Sequence, residues 1–524
     1  MIILQNMVYD IIFITGEVYF DHPLCGVAIL KRLLEKYGYS VGIIEKPRQE
    51  EEIKQLGQPN LFFGVTSGAI DSMVRNYTPL NRRRDEDVNL DYDEKVPDRA
   101  VTVYCNWLRK NFKTAPLVLG GTEASLRRFV HYDYWKNQLR KSILLDTRAD
   151  ILVYGNGEKQ ILEIAQRLKE KKSLENINGT CLVSKTLPKD FKELPTEAEV
   201  LESKEKFCDL QIKLNNYENF AQKSTHNYIL QYQSPIYTSK DLDEYYELPF
   251  TRSIPLKHLR GFEFSVVTHR GCLANCNFCA LRLIQGDKII SRSEESILRE
   301  IKALTKLPYF KGNIDDLGGP SANMYGMDCP QRTVCHKKCL DCSKLNRSHE
   351  RLLQLLKKAR QIPGIKNVYV RSGVRFDLAP KEYLKEMAQF HIFDTLRISP
   401  EHVNTAVLKL MNKNYGNWEE FERFFHGLNC GKELSYYFIT AHPGSTMKEA
   451  QELARALEGR KNVNLQIFTP TPMTVSTCMY YTGLDPQTKR PVYVPHSYQE
   501  KKNQKWVAME ALGSSGVQKK IKKY

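Results

Sequence analysis

Short apolar runs punctuate the first third of the chain: YDIIFITG from Tyr9, SVGII from Ser40, LFFGVTSG from Leu61, APLVLGG from Ala115 and ADILVYGNGE from Ala149. Each has strand length and is apolar without alternation, as expected of strands buried on both faces. Between the first two, VAILKRLLEKYG sets Val27, Leu30, Leu33 and Leu34 at helical spacing, and Gly38 stands where a C-cap belongs. Strands alternating with helices predict an α/β fold, a doubly wound parallel sheet whose strand-end loops are open to a ligand. A charged insertion, NRRRDEDVNLDYDEKVPDRA, interrupts this domain, which is expected to span 1–185. Residues 186–255 lose the periodicity, are charged and tyrosine-rich, and read as a linker with a helix or two.

From 256 the alternation returns. FEFSVVTHRG, NIDDLGG, NVYVRSGVRF, TLRISPEH, LSYYFITAHPG and NLQIFTPTP read as strands, separated by helices such as SEESILREIKAL, RLLQLLKKARQI and MKEAQELARALEGR. Six or so β/α units in series predict a partial (β/α)6 barrel over 256–485, with its chemistry at the strands' C-terminal ends. Residues 486–524 read as a basic C-terminal tail, mobile at its end.

A chain of 524 residues is too long for one core, so two or three domains are expected. No apolar run approaches the ~18 residues that span a bilayer, and MIILQNMVYDIIFITG carries Asp10 and no cationic leader. A cytoplasmic location without membrane contact is therefore expected. Thirteen cysteines in so large a chain argue against a disulfide framework, and seven of them fall between 272 and 342, which points to metal or redox chemistry. The formal net charge of +16 draws the chain towards polyanions, RNA or a ribosomal component first, although a solvated basic surface accounts for it equally.

The first cysteine group lies in RGCLANCNFCALRL, where Cys272, Cys276 and Cys279 have the spacing C-x3-C-x2-C directly after a strand. Three thiolates can hold three irons of a [4Fe–4S] cluster and leave the fourth open to a ligand. Structural zinc takes four closed ligands, commonly in CxxC pairs. Zinc and free thiols are the competing readings. A second group, CPQRTVCHKKCLDC, contains Cys329, Cys335, Cys339 and Cys342, the last three repeating the spacing. It follows no strand and sits amid charges, so it reads as an auxiliary cluster or a zinc site, with His336 as a substitute ligand; unliganded thiols are the alternative.

The first motif and its place resemble the radical S-adenosylmethionine (SAM) superfamily. FDHPLCGVAIL, LFFGVTSGAIDSMV, LVLGGTEASLRR, GGPSANMYGM and FTPTPMTVSTCMYYTGLDP together resemble the YgiQ-type radical SAM proteins over most of residues 10–500. The resemblance implies a [4Fe–4S] cluster and SAM as cofactors, with the open iron binding the amino and carboxylate groups of SAM. Reductive cleavage would then give a 5′-deoxyadenosyl radical that abstracts hydrogen. It also implies a reducing partner such as flavodoxin or ferredoxin. Carried over position by position, the SAM contacts are Gly318 and Gly319, with Pro320 where the superfamily has an acid, then Ser372, Arg375, Glu401 and Gly444. His442 would face the same pocket. Each has a plain competitor: turn glycines, an Arg375–Glu401 ion pair, a satisfied buried histidine.

The N-terminal domain also resembles that of cobalamin-dependent methylases. The Asp-x-His-x-x-Gly motif that supplies histidine to cobalt is broken here, because Asp21 and His22 are adjacent and Gly26 follows too late. Cobalamin is therefore not expected, and Asp21 and His22 read as a helix-entry loop with a capping role. The expected function is a radical SAM enzyme of unknown substrate, RNA or a ribosomal component among the candidates. The alternative is a non-enzymatic iron–sulfur or zinc protein that binds nucleic acid on a retained barrel. Cys478 is expected to be a buried structural cysteine before it is a radical-quenching thiol.

Overall fold

The computed structural model of the chain describes residues 8–84, 96–254, 261–331, 335, 338–413 and 416–513. The charged run 85–95, His336 and the last part of the basic tail, 514–524, lie outside the described residues.

Five strands, Ile11–Thr15, Val41–Glu45, Phe62–Thr66, Leu117–Leu119 and Ile151–Val153, form a parallel sheet in the order 2-1-3-4-5. All five pair in parallel. Ile11, Ile12, Phe13 and Ile14 are buried in succession, as a strand covered on both faces requires. The helix Gly26–Lys36 buries Val27, Leu33 and Leu34, and Gly38 just beyond it takes φ +84°, which a glycine adopts without strain.

The reading of 186–255 as a linker does not hold. Thr180–Ser184 pairs antiparallel with Ile151–Val153, and the sheet then continues through Asn227–Gln231, Phe220–Ser224 and Lys192–Glu193, reaching nine strands. Buried polar residues hid these strands. Gln222 and Gln231 lie inside the sheet with their amides spent on Val130 N–H and on the Arg128 guanidinium (3.0 and 2.8 Å), so an apolar pattern was never required.

The second unit is an open parallel arc. Ser265–Val267 pairs with Asp316–Gly318, Asn313–Ile314 with Asn367–Val368, and Thr395–Glu401, Glu433–Thr440 and Val463–Ile467 follow side by side. A single bridge from Val374 to Ile398 joins the third position to the fourth. The expected doubly wound sheet followed by a partial barrel is what the chain forms. Helices such as Glu294–Leu304 and Met447–Leu457 cover the arc; the latter buries Ala450, Leu453, Ala454 and Leu457 and starts at a Thr446–Glu449 capping box.

Nor are residues 486–513 a tail. Tyr498–Glu510 is a helix whose Gln504 accepts from Ala441 N–H and the Ser445 hydroxyl (3.1 and 3.0 Å) and donates to Ser445 carbonyl (2.8 Å). Its buried face, Lys501, Gln504 and Ala508, has too little apolar area to announce a helix in sequence.

The two units are stitched together by buried polar contacts. Arg270 pairs with Glu158 (2.7 Å), Asn216 donates to Leu283 carbonyl (2.9 Å), and Glu300 takes both Arg252 and Arg292. Asp21 does not cap the helix; it pairs with Arg32 inside it (2.5 Å). No helix among the described residues is long and apolar enough to cross a membrane.

Candidate metal and cofactor centre

The cysteine loop leaves the first barrel strand through a short hairpin, His269–Arg270 against Ile290–Ser291. Gly271 turns it with φ +88°, and a Cβ there would lie 1.9 Å from the Lys288 carbonyl, so only glycine fits. Cys272 N–H donates to Gly286 carbonyl (3.1 Å) and Cys279 N–H to Cys276 carbonyl (3.1 Å). Two distant segments hold the outer edge of the loop. Asn277 binds Met411 carbonyl through its N–H and Leu410 carbonyl through its side chain (2.9 and 2.8 Å), and its carbonyl accepts from Ser476 N–H (2.9 Å).

Cys272 and Cys276 are buried and Cys279 is half-buried, in an apolar nest with Leu273, Ile289, Met324 and Met327. Burial pushes the Cys279 thiol up to about 12 and raises Cys272 too. A free thiol kept so protonated is a poor nucleophile, whereas a metal that replaces the proton turns the same buried sulfur into a stable ligand. Among the described residues no three His, Cys, Asp or Glu side chains converge on one ion. Three thiols on one loop are the donors a [4Fe–4S] cluster takes, one on each of three irons. The donor set fits.

Cations and a strained acid gather at this loop. Arg375 brings Nη1 to 4.0 Å from Cys276 Sγ, while its other side forks onto Asp377 (2.9 and 2.6 Å). Glu401 is buried in the left-handed region (φ +70°); Oε1 accepts from Lys413 Nζ at 3.0 Å and Oε2 has no partner. Burial raises the Glu401 carboxyl, with Lys413 working against it. Burial would lower the Lys413 ammonium, but Glu401 and Cys276 hold it above its usual value. The suggested Arg375–Glu401 pair is thus resolved into two pairs, and their partners, Asp377 and Lys413, were missed from sequence.

Other expected contacts fall elsewhere. Gly318, Gly319 and Ser372 line a cavity of about 580 Å³ between the C-terminal ends of the parallel strands and the first barrel strands. A Cβ on Gly319 would meet the His269 ring at 2.5 Å, and the Ser372 hydroxyl is spent on Asp316. Gly444 (φ +92°) lines a different, larger cavity of about 1630 Å³, beside Asn275, Asn277 and Cys335. His442 is the satisfied buried histidine: its ring nitrogens contact Pro443 carbonyl and the Ser476 hydroxyl (2.8 and 2.7 Å), and burial drops its pKa to about 3.

In the smaller cavity Ser265 Oγ, Glu158 Oε2 and Arg270 Nη1 belong to lining residues yet have no hydrogen-bond partner. His22 does not line it; its Nε2 lies 3.0 Å from Glu263 carbonyl and 3.2 Å from Arg252. In the second cysteine group, Cys329, Cys335, Cys339 and Cys342 are all half-buried. Cys339 packs against the apolar nest of the first group, and Lys288 Nζ lies 3.5 Å from its sulfur. Cys478 is buried, 3.7 Å from the Cys208 sulfur.

Comparison with known proteins agrees with this geometry. The Radical SAM N-terminal family model matches residues 4–262 and the Radical SAM superfamily model residues 266–457. A UPF0313 protein of Methanocaldococcus jannaschii is 43% identical, over 95% of this chain and 89% of that protein. The chain belongs to the UPF0313 family of radical SAM proteins. A relative from Fusobacterium nucleatum is 39% identical over 96% of both chains. Membership bears out the likeness to YgiQ-type proteins and makes the chain a radical SAM enzyme using a [4Fe–4S] cluster and SAM. Among solved structures it resembles the methyltransferase TsrM of Kitasatospora setae with cobalamin and [4Fe–4S] cluster bound. The TM-score is 0.53 at 14% identity, covering 90% of this chain and 79% of that one. It also resembles the cobalamin-dependent enzyme OxsB with aqua-cobalamin bound, with TM-score 0.50 at 12% identity, covering 96% and 57%. At such identities the likeness is one of fold.

Proposed function

We propose that Cys272, Cys276 and Cys279 hold the cluster, and that the enzyme abstracts hydrogen from a small substrate seated in the cavity between the sheet and the barrel. The observation that carries this reading is the three-thiol loop in its apolar nest, turned at Gly271 and clamped at 410–411 and 476. The cluster and SAM, when bound, supply the 5′-deoxyadenosyl radical, with the electron arriving from a reducing protein such as flavodoxin or ferredoxin. The chain's own residues position and shield. Glu401, with one carboxylate oxygen unpaired, would accept from SAM, and Arg375 would place positive charge beside Cys276. Gly318, Gly319 and Ser372 would form the wall through which SAM meets the substrate, and Gly444 would act on the outer side of the loop.

A cavity of about 580 Å³ is in the range that small-molecule ligands occupy. A His22 committed to Glu263 carbonyl and Arg252 supports a reading without cobalamin, despite the fold shared with cobalamin enzymes. The charge of +16 is the support for an RNA or ribosome-linked substrate, which would enter such a space only as one extruded residue.

The cavity can be tested by filling it. Gly120 lines it with φ −161°, and a Cβ there meets nothing nearer than Val153 carbonyl at 3.9 Å, so leucine adds bulk without backbone strain. Reduced wild type given SAM and a metabolite extract from cells grown in D2O should form deuterated 5′-deoxyadenosine. Gly120→Leu should still release 5′-deoxyadenosine, but without deuterium. Unlabelled product from wild type in every extract fraction would sink the hydrogen-abstraction step in this cavity.

For Cys329, Cys335, Cys339 and Cys342, which do not converge on one ion in this structure, we infer a structural metal site that closes only when the metal binds, supported by four thiols in one short segment and by the packing of Cys339 against the cluster nest. Metal analysis should find about one zinc per chain, absent from the Cys339→Ala/Cys342→Ala variant. About four additional irons in place of zinc would reassign the site to an auxiliary cluster.

A further inference from the structure

Far from the cysteine loop, a cavity of about 480 Å³ is lined by Tyr132, Tyr134, Tyr480, His496, Tyr498 and Lys501, among others. Four separate parts of the chain meet there: the turn at Leu80 and Asn81, the hairpin after the fourth sheet strand, the helix Val475–Thr482 and the C-terminal helix with His496 just before it. Lys501 is only 4% exposed. Its ammonium donates to the hydroxyls of Tyr480 (2.7 Å) and Tyr134 (3.1 Å) and stands over both rings at about 5 Å. No carboxylate among the described residues pairs with it. Its helix neighbour Glu500 is bonded to the Tyr493 hydroxyl instead. Burial pulls the Lys501 pKa down to about 8, so the group is charged at neutral pH at a cost to folding.

A buried cation with no carboxylate partner among the described residues, at the wall of an open aromatic cavity, is poised for an anion. Tyr134 already gives its proton to Pro79 carbonyl (2.7 Å), whereas the Tyr480 hydroxyl accepts from Lys501 and keeps its own proton for a ligand. One positive charge balances a monoanion rather than a phosphate dianion, and the rings offer flat faces for stacking. We propose that this cavity binds the carboxylate of a small, flat, unsaturated molecule, held by Lys501 and Tyr480 and stacked among the tyrosines. The site is separate from the cofactor centre and does not rest on the reading given for it.

The probe is 4-fluorobenzoate, followed by fluorine NMR with the full-length protein under anaerobic conditions. Wild type should broaden the signal. Lys501→Met should bind it about tenfold more weakly or worse, as befits loss of a charged hydrogen bond. It should also melt no lower than wild type, because a buried charge with no carboxylate partner among the described residues has gone. Tyr480→Phe, which keeps the ring, should weaken binding several-fold and serves if the lysine variant does not fold. Raising the pH above about 8 should release the probe as the ammonium loses its proton. Absence of broadening, equal binding by Lys501→Met, or a large fall in its melting temperature with binding retained would each overturn the proposal. Complete displacement by equimolar inorganic phosphate would overturn the assignment to a carboxylate.

Discussion

Anaerobically reconstituted, reduced protein should release 5′-deoxyadenosine from SAM, and Cys276→Ala should release it only at background. This is the largest effect expected, because the three thiols act as one unit: removing any one leaves a cluster with two anchors and an unprotected edge. Cys276 is the informative choice. It is the middle ligand, is buried, and has the Arg375 guanidinium 4.0 Å from its sulfur. Its loss therefore removes a ligand and leaves a buried cation facing a void. The check is product analysis by chromatography, with iron and sulfide content measured on the same sample. Release by the variant at the wild-type rate would falsify the assignment of the triad, whereas failure of both proteins at full iron loading would point to a strict substrate requirement.

Lys413→Met is the second large effect, and it is one of stability. Glu401 is buried and Lys413 nearly so, and breaking one half of a buried ion pair costs about 3–5 kcal/mol, because the remaining charge has little solvent to turn to. Glu401 is worse placed than most such groups, since its other oxygen already lacks a partner and its backbone sits at φ +70°. The double variant Glu401→Gln/Lys413→Met should recover most of the loss, as removing both charges removes the unpaired one. Urea denaturation of wild type, single and double variants measures this. A single variant as stable as wild type would mean that water or a ligand reaches Glu401, and that the pair is not structural.

Local chemistry was readable in the sequence and tertiary partner choice was not. The spacing of Cys272, Cys276 and Cys279 carries its own meaning because all three ligands sit in one loop. The strand–helix alternation was equally visible, because strands buried on both faces must be continuously apolar. What failed depends on contacts between distant segments. Gly271 looks like any turn glycine until the Lys288 carbonyl is seen against it, and Lys413 looks like a surface lysine until Glu401 is found beside it. The sheet extension was missed because Gln222 and Gln231 satisfy their amides inside it, which no hydrophobic pattern encodes. The docked C-terminal helix was missed because polar residues dominate it and its buried face includes Lys501 and Gln504.

The clamp on the cysteine loop also sets an order of events during synthesis. The three thiols leave the ribosome well before the segments that hold Asn277, at 410–411 and 476, have been made. At ordinary translation rates that interval is roughly 10–40 s. Throughout it the cysteines are tethered at one end only and open to oxidation or to the wrong metal. A cluster delivered within that interval meets a loop that still lacks its outer clamp.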